Sequence, residues 1–137
     1  MSLLKARESV VKKFIPHLRD YGLSPQQWRV LRALYETEGM EMSVLSEQCY
    51  LLMPSLSRII QNLEARELVS RRISDKDQRR SIITLAPQGI EMVQIISPKS
   101  EARYEHITKA FGYGKLELLY ELLDELVEKL DDEDGHK

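Results

Sequence analysis

Between residues 53 and 85 the chain (MPSLSRIIQNLEARELVSRRISDKDQRRSIITL) reads first as a helix and then as a two-stranded hairpin with a basic tip. No other stretch limits the fold as tightly. Pro54 suits the opening of a helix running to about residue 66. At about 100° per residue, Leu56, Ile59, Ile60 and Leu63 fall within roughly 100° of one another and form a core face. The opposite side carries Pro54, Ser57, Arg58 and Gln61, flanked by Ser55 and Asn62. Small hydroxyls, an arginine and amides near a helix N-terminus are groups that read base edges in a major groove and hold phosphates. Taken alone, such a face is more often simply solvated.

The segment that follows shifts this balance. Residues 68–73 (LVSRRI) and 81–85 (SIITL) have strand composition, and residues 74–80 (SDKDQRR) are polar and turn-forming. Together with the short helix before it, the arrangement is a winged helix-turn-helix. Arg72, Lys76, Arg79 and Arg80 lie in the hairpin, and arginine at a wing tip suits the narrow, electronegative minor groove. Asp77, two residues before Arg79, is placed to hold it extended through a salt bridge. The alternative is that these charges only solubilise a loop.

Charge distribution supports the nucleic-acid reading where total charge does not. The whole chain is −2, yet residues 54–83 carry +3 and residues 115–137 carry −6. One cysteine, Cys49, excludes an intramolecular disulfide and fits a reducing cytoplasm. No apolar run approaches membrane-span length, so no membrane association is expected. No phosphate-binding glycine loop or nucleophile–base pair is recognisable, which argues against an enzyme. Three scattered histidines (His17, His106, His136) and one cysteine make no metal cluster, and neither metal nor cofactor is expected.

The remaining chain is read as supporting helices. Leu3, Val10, Val11, Phe14, Ile15 and Leu18 recur at helical spacing over residues 2–20, with Pro16 bending or breaking the helix and Gly22 ending it. Ser24, Pro25 and Gln27 spell a capping box for a helix over residues 25–38. Residues 41–42 suit a short strand, and Ser43 suits the cap of a helix over residues 44–50. Pro87 opens a long helix, kinked at Pro98 and broken at residues 112–114. In the last helix, residues 115–130, Leu116, Leu119, Leu123, Leu126 and Leu130 form one seam, and Leu118, Leu122 and Val127 extend it. So wide an apolar surface implies burial on several sides, against a second copy of the helix or within a large internal core. The polar tail over residues 131–137 is expected to fray.

The order of elements, with Asp77-Gln78-Arg79-Arg80, Leu85 and Gly89, resembles the MarR family of bacterial transcriptional regulators over essentially the whole chain. That family's wing signature is Asp-x-Arg, a strand ending in Leu-Thr, and a glycine soon after; here Ala86 replaces the threonine. Phe14-Ile15-Pro16, the run from Gly22 to Leu34, and Pro54-Ser55-Leu56-Ser57-Arg58 are similar to the subgroup regulating homoprotocatechuate (4-hydroxyphenylacetate) degradation operons. Met53 stands where that subgroup has a basic residue.

The resemblance implies a mainly α fold with a small β-hairpin. Residues 24–96 form the winged helix-turn-helix, and residues 1–22 and 98–137 form dimerisation helices, all in a single domain. It also implies a homodimeric repressor on double-stranded DNA with a pseudo-palindromic operator, released by a small aromatic acid. The DNA-contacting set is then Pro54, Ser55, Ser57, Arg58, Gln61, Arg72, Lys76, Asp77, Arg79 and Arg80. The ligand set is His17, Trp28 and Arg32, with Ser24 as an added donor. Trp28 and Arg32, one turn apart, offer a stacking surface beside a carboxylate partner. Trp28 as a core anchor and Arg32 as a surface or interdomain ion-pair partner is the competing assignment. Redox sensing through Cys49 is the alternative function, against which stands its place on the inward stripe of a helix.

Overall fold

The computed structural model describes residues 1–135 and contains α1 (Ser2–Val11), α2 (Ile15–Arg19), α3 (Pro25–Tyr35), β1 (Met40–Glu41), α4 (Met42–Cys49), α5 (Met53–Ala65), β2 (Val69–Ile73), β3 (Ser81–Leu85), α6 (Pro87–Phe111) and α7 (Tyr113–Gly135). His136 and the end of the acidic tail lie outside the described residues. Two compact units divide the chain, Met1–Ser100 and Glu101 onward.

In the first unit, the N-terminal helix is two helices rather than one bent helix. A turn over residues 12–14 separates them, with Lys13 N–H donating to Val10 O (3.0 Å) and Phe14 N–H to Val11 O (2.9 Å). Pro16 occupies the second position of α2, where its missing N–H costs no helical bond, so it starts a helix instead of bending one. Gly22 takes the left-handed conformation (φ +68°) that closes α2, and Leu23 N–H returns to Leu18 O at 3.0 Å. The Arg66 guanidinium, from the C-terminal end of α5, donates to the carbonyls of Tyr21 and Gly22, each at 2.9 Å.

The capping box of α3 is present: Ser24 Oγ accepts from Gln27 N–H (3.1 Å), and Gln27 Oε1 accepts from Ser24 N–H (2.9 Å). The next helix begins earlier than its sequence suggests. Met40 and Glu41 pair antiparallel with Ile83 and Ile82 of β3, which keeps the chain extended through Glu41. Consequently α4 starts at Met42, and Ser43 lies inside the helix instead of capping it. That pairing also turns the expected hairpin into a three-stranded sheet, ordered β1-β3-β2. In the hairpin, Val69 opposes Leu85 and Ile73 opposes Ser81.

Leu56, Ile60 and Leu63 of α5 are completely buried, and Ile59 is partly so. They pack in one core with Val30, Leu31 and Leu34 of α3, Leu45 and Cys49 of α4, Ile83 of β3, and Val93 and Ile96 of α6. Each such side chain stabilises the fold by about 1.5–3 kcal/mol through burial. The recognition-type helix is thus pinned by its inner face, which fixes the direction of its outer one.

Pro98 lies within α6, which remains helical to Phe111. Gly112 alone (φ +113°) separates α6 from α7; Gly114 is helical, so α7 begins at Tyr113 rather than at residue 115. Within the second unit, Leu118, Leu122, Leu126 and Leu130 are exposed, while Leu116 and Leu123 are half-buried.

Candidate nucleic-acid interface

With its inner face fixed, α5 turns Pro54, Arg58 and Gln61 to solvent and leaves Ser55 and Ser57 half-buried. Among the described residues Arg58 makes no ion pair. Asn62, expected to flank this face, is engaged elsewhere: its Oδ1 accepts from Gln27 Nε2 at 2.9 Å.

Asp77 organises the wing tip. Its Oδ1 accepts from Arg79 N–H (3.0 Å) and from Arg79 Nε (3.3 Å), and its Oδ2 faces Arg80 Nε at 3.5 Å. The Arg79 backbone N–H, chiefly, holds the Asp77 carboxyl below its ordinary pKa. Ser74, which is buried, donates its N–H to Arg80 O (2.9 Å) and accepts from Lys76 N–H through Oγ (3.2 Å).

The two tip arginines end up in different situations. Arg79 has a side chain 91% exposed and extends into solvent. Arg80 donates to Glu41 Oε2 of the adjacent β1 at 2.9 Å. Arg72 and Lys76 are exposed and, among the described residues, unpaired. Arg71 pairs with Glu64 at 3.0 Å.

Ser57 of α5, Ser43 at the start of α4, and Arg71, Arg79 and Arg80 of the wing together line one cleft of about 450 Å³. This cleft joins helix and wing, and its arginines and serines stand beside the apolar Met42 and Met53. Glu41, Ser43 and Arg71 belong to it although none of them is in the DNA-contacting set expected from sequence. Glu41 meets Arg80 across 39 residues of chain, a pairing with no local signal. Arg66, conversely, is basic but serves as the clamp on α2 described above.

The ligand-set residues are placed as follows. Trp28 is buried in the core, and the Arg32 guanidinium lies 5.9 Å from its ring centroid. One face of that indole is therefore covered by the chain's own cation. His17 is buried, with Nε2 and Ser100 Oγ 2.8 Å apart and an edge-on contact to Phe14 at 5.9 Å. Ser24 Oγ is committed to its cap. Cys49 is fully buried, and burial pushes its thiol pKa up, with Arg29 opposing. A thiol held protonated is a weak nucleophile towards oxidants. Among the described residues no group of three or more His, Cys, Asp or Glu is placed to hold a metal ion, and no helix is long and apolar enough to cross a membrane.

Comparison with known proteins shows what the chain is similar to. A family profile described as MarR family matches residues 21–80. The chain is 35% identical to the HTH-type transcriptional regulator FarR of Neisseria gonorrhoeae, covering 96% of this chain and 90% of that protein. It is 32% identical to the homoprotocatechuate degradative operon repressor of Escherichia coli, covering 93% of this chain and 86% of the relative. Its fold is similar to the crystal structure of NadR in complex with 4-hydroxyphenylacetate, with TM-score 0.78, 35% identity, and coverage of 91% and 89% of the two chains.

Proposed function

The chain belongs to the MarR family of transcriptional regulators, and from that premise we propose that it is a homodimeric repressor of an aromatic-acid catabolic operon, released from DNA by a small phenolic or aromatic carboxylate. The observation that carries this reading is the cleft in which Ser57 of α5 meets Arg79 and Arg80 of the wing. A duplex lying along that surface presents its major groove to Pro54, Ser55, Ser57, Arg58 and Gln61. The adjoining minor groove meets Arg79, and phosphates meet Arg72 and Lys76. Asp77 serves in this set by holding Arg79 and Arg80.

In this reading residues 24–96 are the DNA-reading part and residues 1–22 and 98–137 the dimerisation helices. The exposed leucines of α7 supply apolar surface for a second copy. Two-fold symmetry calls for a pseudo-palindromic operator with half-sites roughly 34 Å apart. Action on bacterial DNA puts the protein in the cytoplasm.

For the effector, support comes from the 4-hydroxyphenylacetate bound to NadR and from the similarity to the homoprotocatechuate operon repressor. Arg32 is the carboxylate partner in this reading, and Trp28, His17 and Ser24 complete the ligand set. Release requires the ligand to bind the geometry that does not fit DNA more tightly than the one that does. In a thermal-shift titration, 4-hydroxyphenylacetate is expected to raise the melting midpoint, by the equivalent of about 2.7 kcal/mol at a hundredfold excess over Kd. It is also expected to lower DNA affinity, and Arg32→Ala to weaken both responses about tenfold or more. Absence of any shift across a panel of hydroxylated aromatic acids contradicts the effector assignment.

Redox control through Cys49 finds no comparable support, because its thiol is buried and protonated. Peroxide is expected to leave DNA affinity unchanged in both the parent chain and Cys49→Ser. Peroxide-driven release that Cys49→Ser abolishes is the contrary result.

A further inference from the structure

The Glu41–Arg80 pair has little to do with stability. Arg80 is 60% exposed and Glu41 28% exposed at the side chain, and ion pairs this wet contribute little to folding. Their location is more informative. Both line the cleft between α5 and the wing, where three arginines converge and Glu41 is the carboxylate among the lining residues. Arg71 is held by Glu64, and Arg79 stays extended by way of Asp77. Arg80 is held twice, by Glu41 at 2.9 Å and by Asp77 at 3.5 Å. Both carboxylates share the one Arg80 guanidinium, which stays partly open to solvent.

We infer that Glu41 is a specificity-determining positioning residue, which withholds the Arg80 guanidinium from the DNA backbone so that the wing is read through Arg79. The inference rests on the DNA-binding reading above. The physical reason is that attraction between a cation and phosphate carries no sequence information. Each further phosphate neutralised strengthens binding to every duplex alike. A wing with both tip arginines free gains affinity on all DNA and loses contrast between operator and background. Glu41, coming from β1 rather than from the wing, cancels one of the two charges. Because β1 is hydrogen-bonded to β3, it also fixes where that cancelled charge sits.

The test uses the full chain and a mixed-sequence duplex of about three helical turns, titrated by fluorescence anisotropy across a salt series. Glu41→Gln keeps the size of the side chain and an acceptor for Arg80 while removing the charge. It is expected to bind this duplex more tightly than the parent, with a salt slope steeper by about 0.9. The affinity ratio of variant to parent then falls about threefold between about 50 mM and about 200 mM salt. In an Arg80→Ala background the same substitution is expected to change neither quantity. Glu41→Asp, which keeps the charge, is expected to retain the parent slope.

An unchanged slope in Glu41→Gln, with the parent binding normally, overturns the inference and leaves the DNA-binding reading intact. A steeper slope that persists without Arg80 also overturns it, since the carboxylate would then act on DNA directly. A parent chain that shows no salt-dependent binding overturns both.

Discussion

Gly89→Ala is expected to lower the thermal midpoint by about 10 °C, corresponding to roughly 2–4 kcal/mol of lost stability. Gly89 is buried in the first turns of α6, where the chain entering β2 crosses the helix. A Cβ at this position falls 2.1 Å from Leu68 O and 3.0 Å from Leu68 C, both backbone atoms. Neither can rotate aside as a side chain does. The same Leu68 carbonyl accepts from Ala86 N–H at 3.0 Å, so moving it also strains the join between β3 and α6. The effect therefore falls on the base of the wing as well as on global stability. Gly114→Ala is the internal control. That glycine is helical with nothing within 4 Å of an added Cβ, and the change is expected to stabilise α7 by about 0.5–1 kcal/mol. Circular dichroism melts of the two variants check both signs; equal midpoints for Gly89→Ala and the parent contradict the close-crossing account.

Arg58→Ala and Arg79→Ala are expected to weaken operator binding by different routes. Arg58 is exposed on the outer face of α5 and, among the described residues, carries no ion pair. In the proposed role of base-edge reader it contributes about 1–3 kcal/mol of discrimination at one position of each half-site. Its removal is expected to relax sequence preference there while leaving non-operator affinity close to the parent's. In the proposed reading Arg79 enters the minor groove, and its loss is expected to lower operator affinity about tenfold or more, with a salt slope shallower by about one. Binding titrations on operator and mixed-sequence duplexes separate the two. If Arg79→Ala changes neither affinity nor slope, the wing does not touch DNA.

The elements that sequence made legible are those whose information is local. Ser24 and Gln27 stand three residues apart and form the capping box they spell. The inner face of α5 follows from helical period alone, and Leu56, Ile60 and Leu63 are completely buried on it. The Asp77–Arg79 contact spans two residues and is present. What escaped depends on partners distant in sequence or on competition between neighbouring signals. Ser43 is a good capping residue, yet pairing of Glu41 with Ile82 starts α4 one residue before it. Pro16 was readable as a bend or a local break, and the chain does break there, at residues 12–14, with Pro16 itself in the first turn of α2, where proline is tolerated. Arg66 counts as positive charge in the sequence, and only the fold shows it spent on the Tyr21 and Gly22 carbonyls. Arg80 looked equivalent to Arg79 until β1 brought Glu41 beside it.

The ligand set was less legible for a related reason. Helical spacing correctly brought Arg32 over Trp28, but spacing does not say whether the indole faces a ligand or the core. Here the ring is buried, and the cation above it is the exposed partner. The carboxylate-binding role proposed for Arg32 therefore rests on its charge and exposure rather than on an open aromatic surface.

The central claim is that α5 and the wing, in a two-fold pair of chains, read a specific duplex. Selection of bound duplexes from a randomised pool tests it most directly. The expected product is a pseudo-palindrome whose half-sites lie about one helical turn apart, roughly 10 base pairs centre to centre. Recovery of no preferred sequence, or of a single asymmetric site, would contradict it.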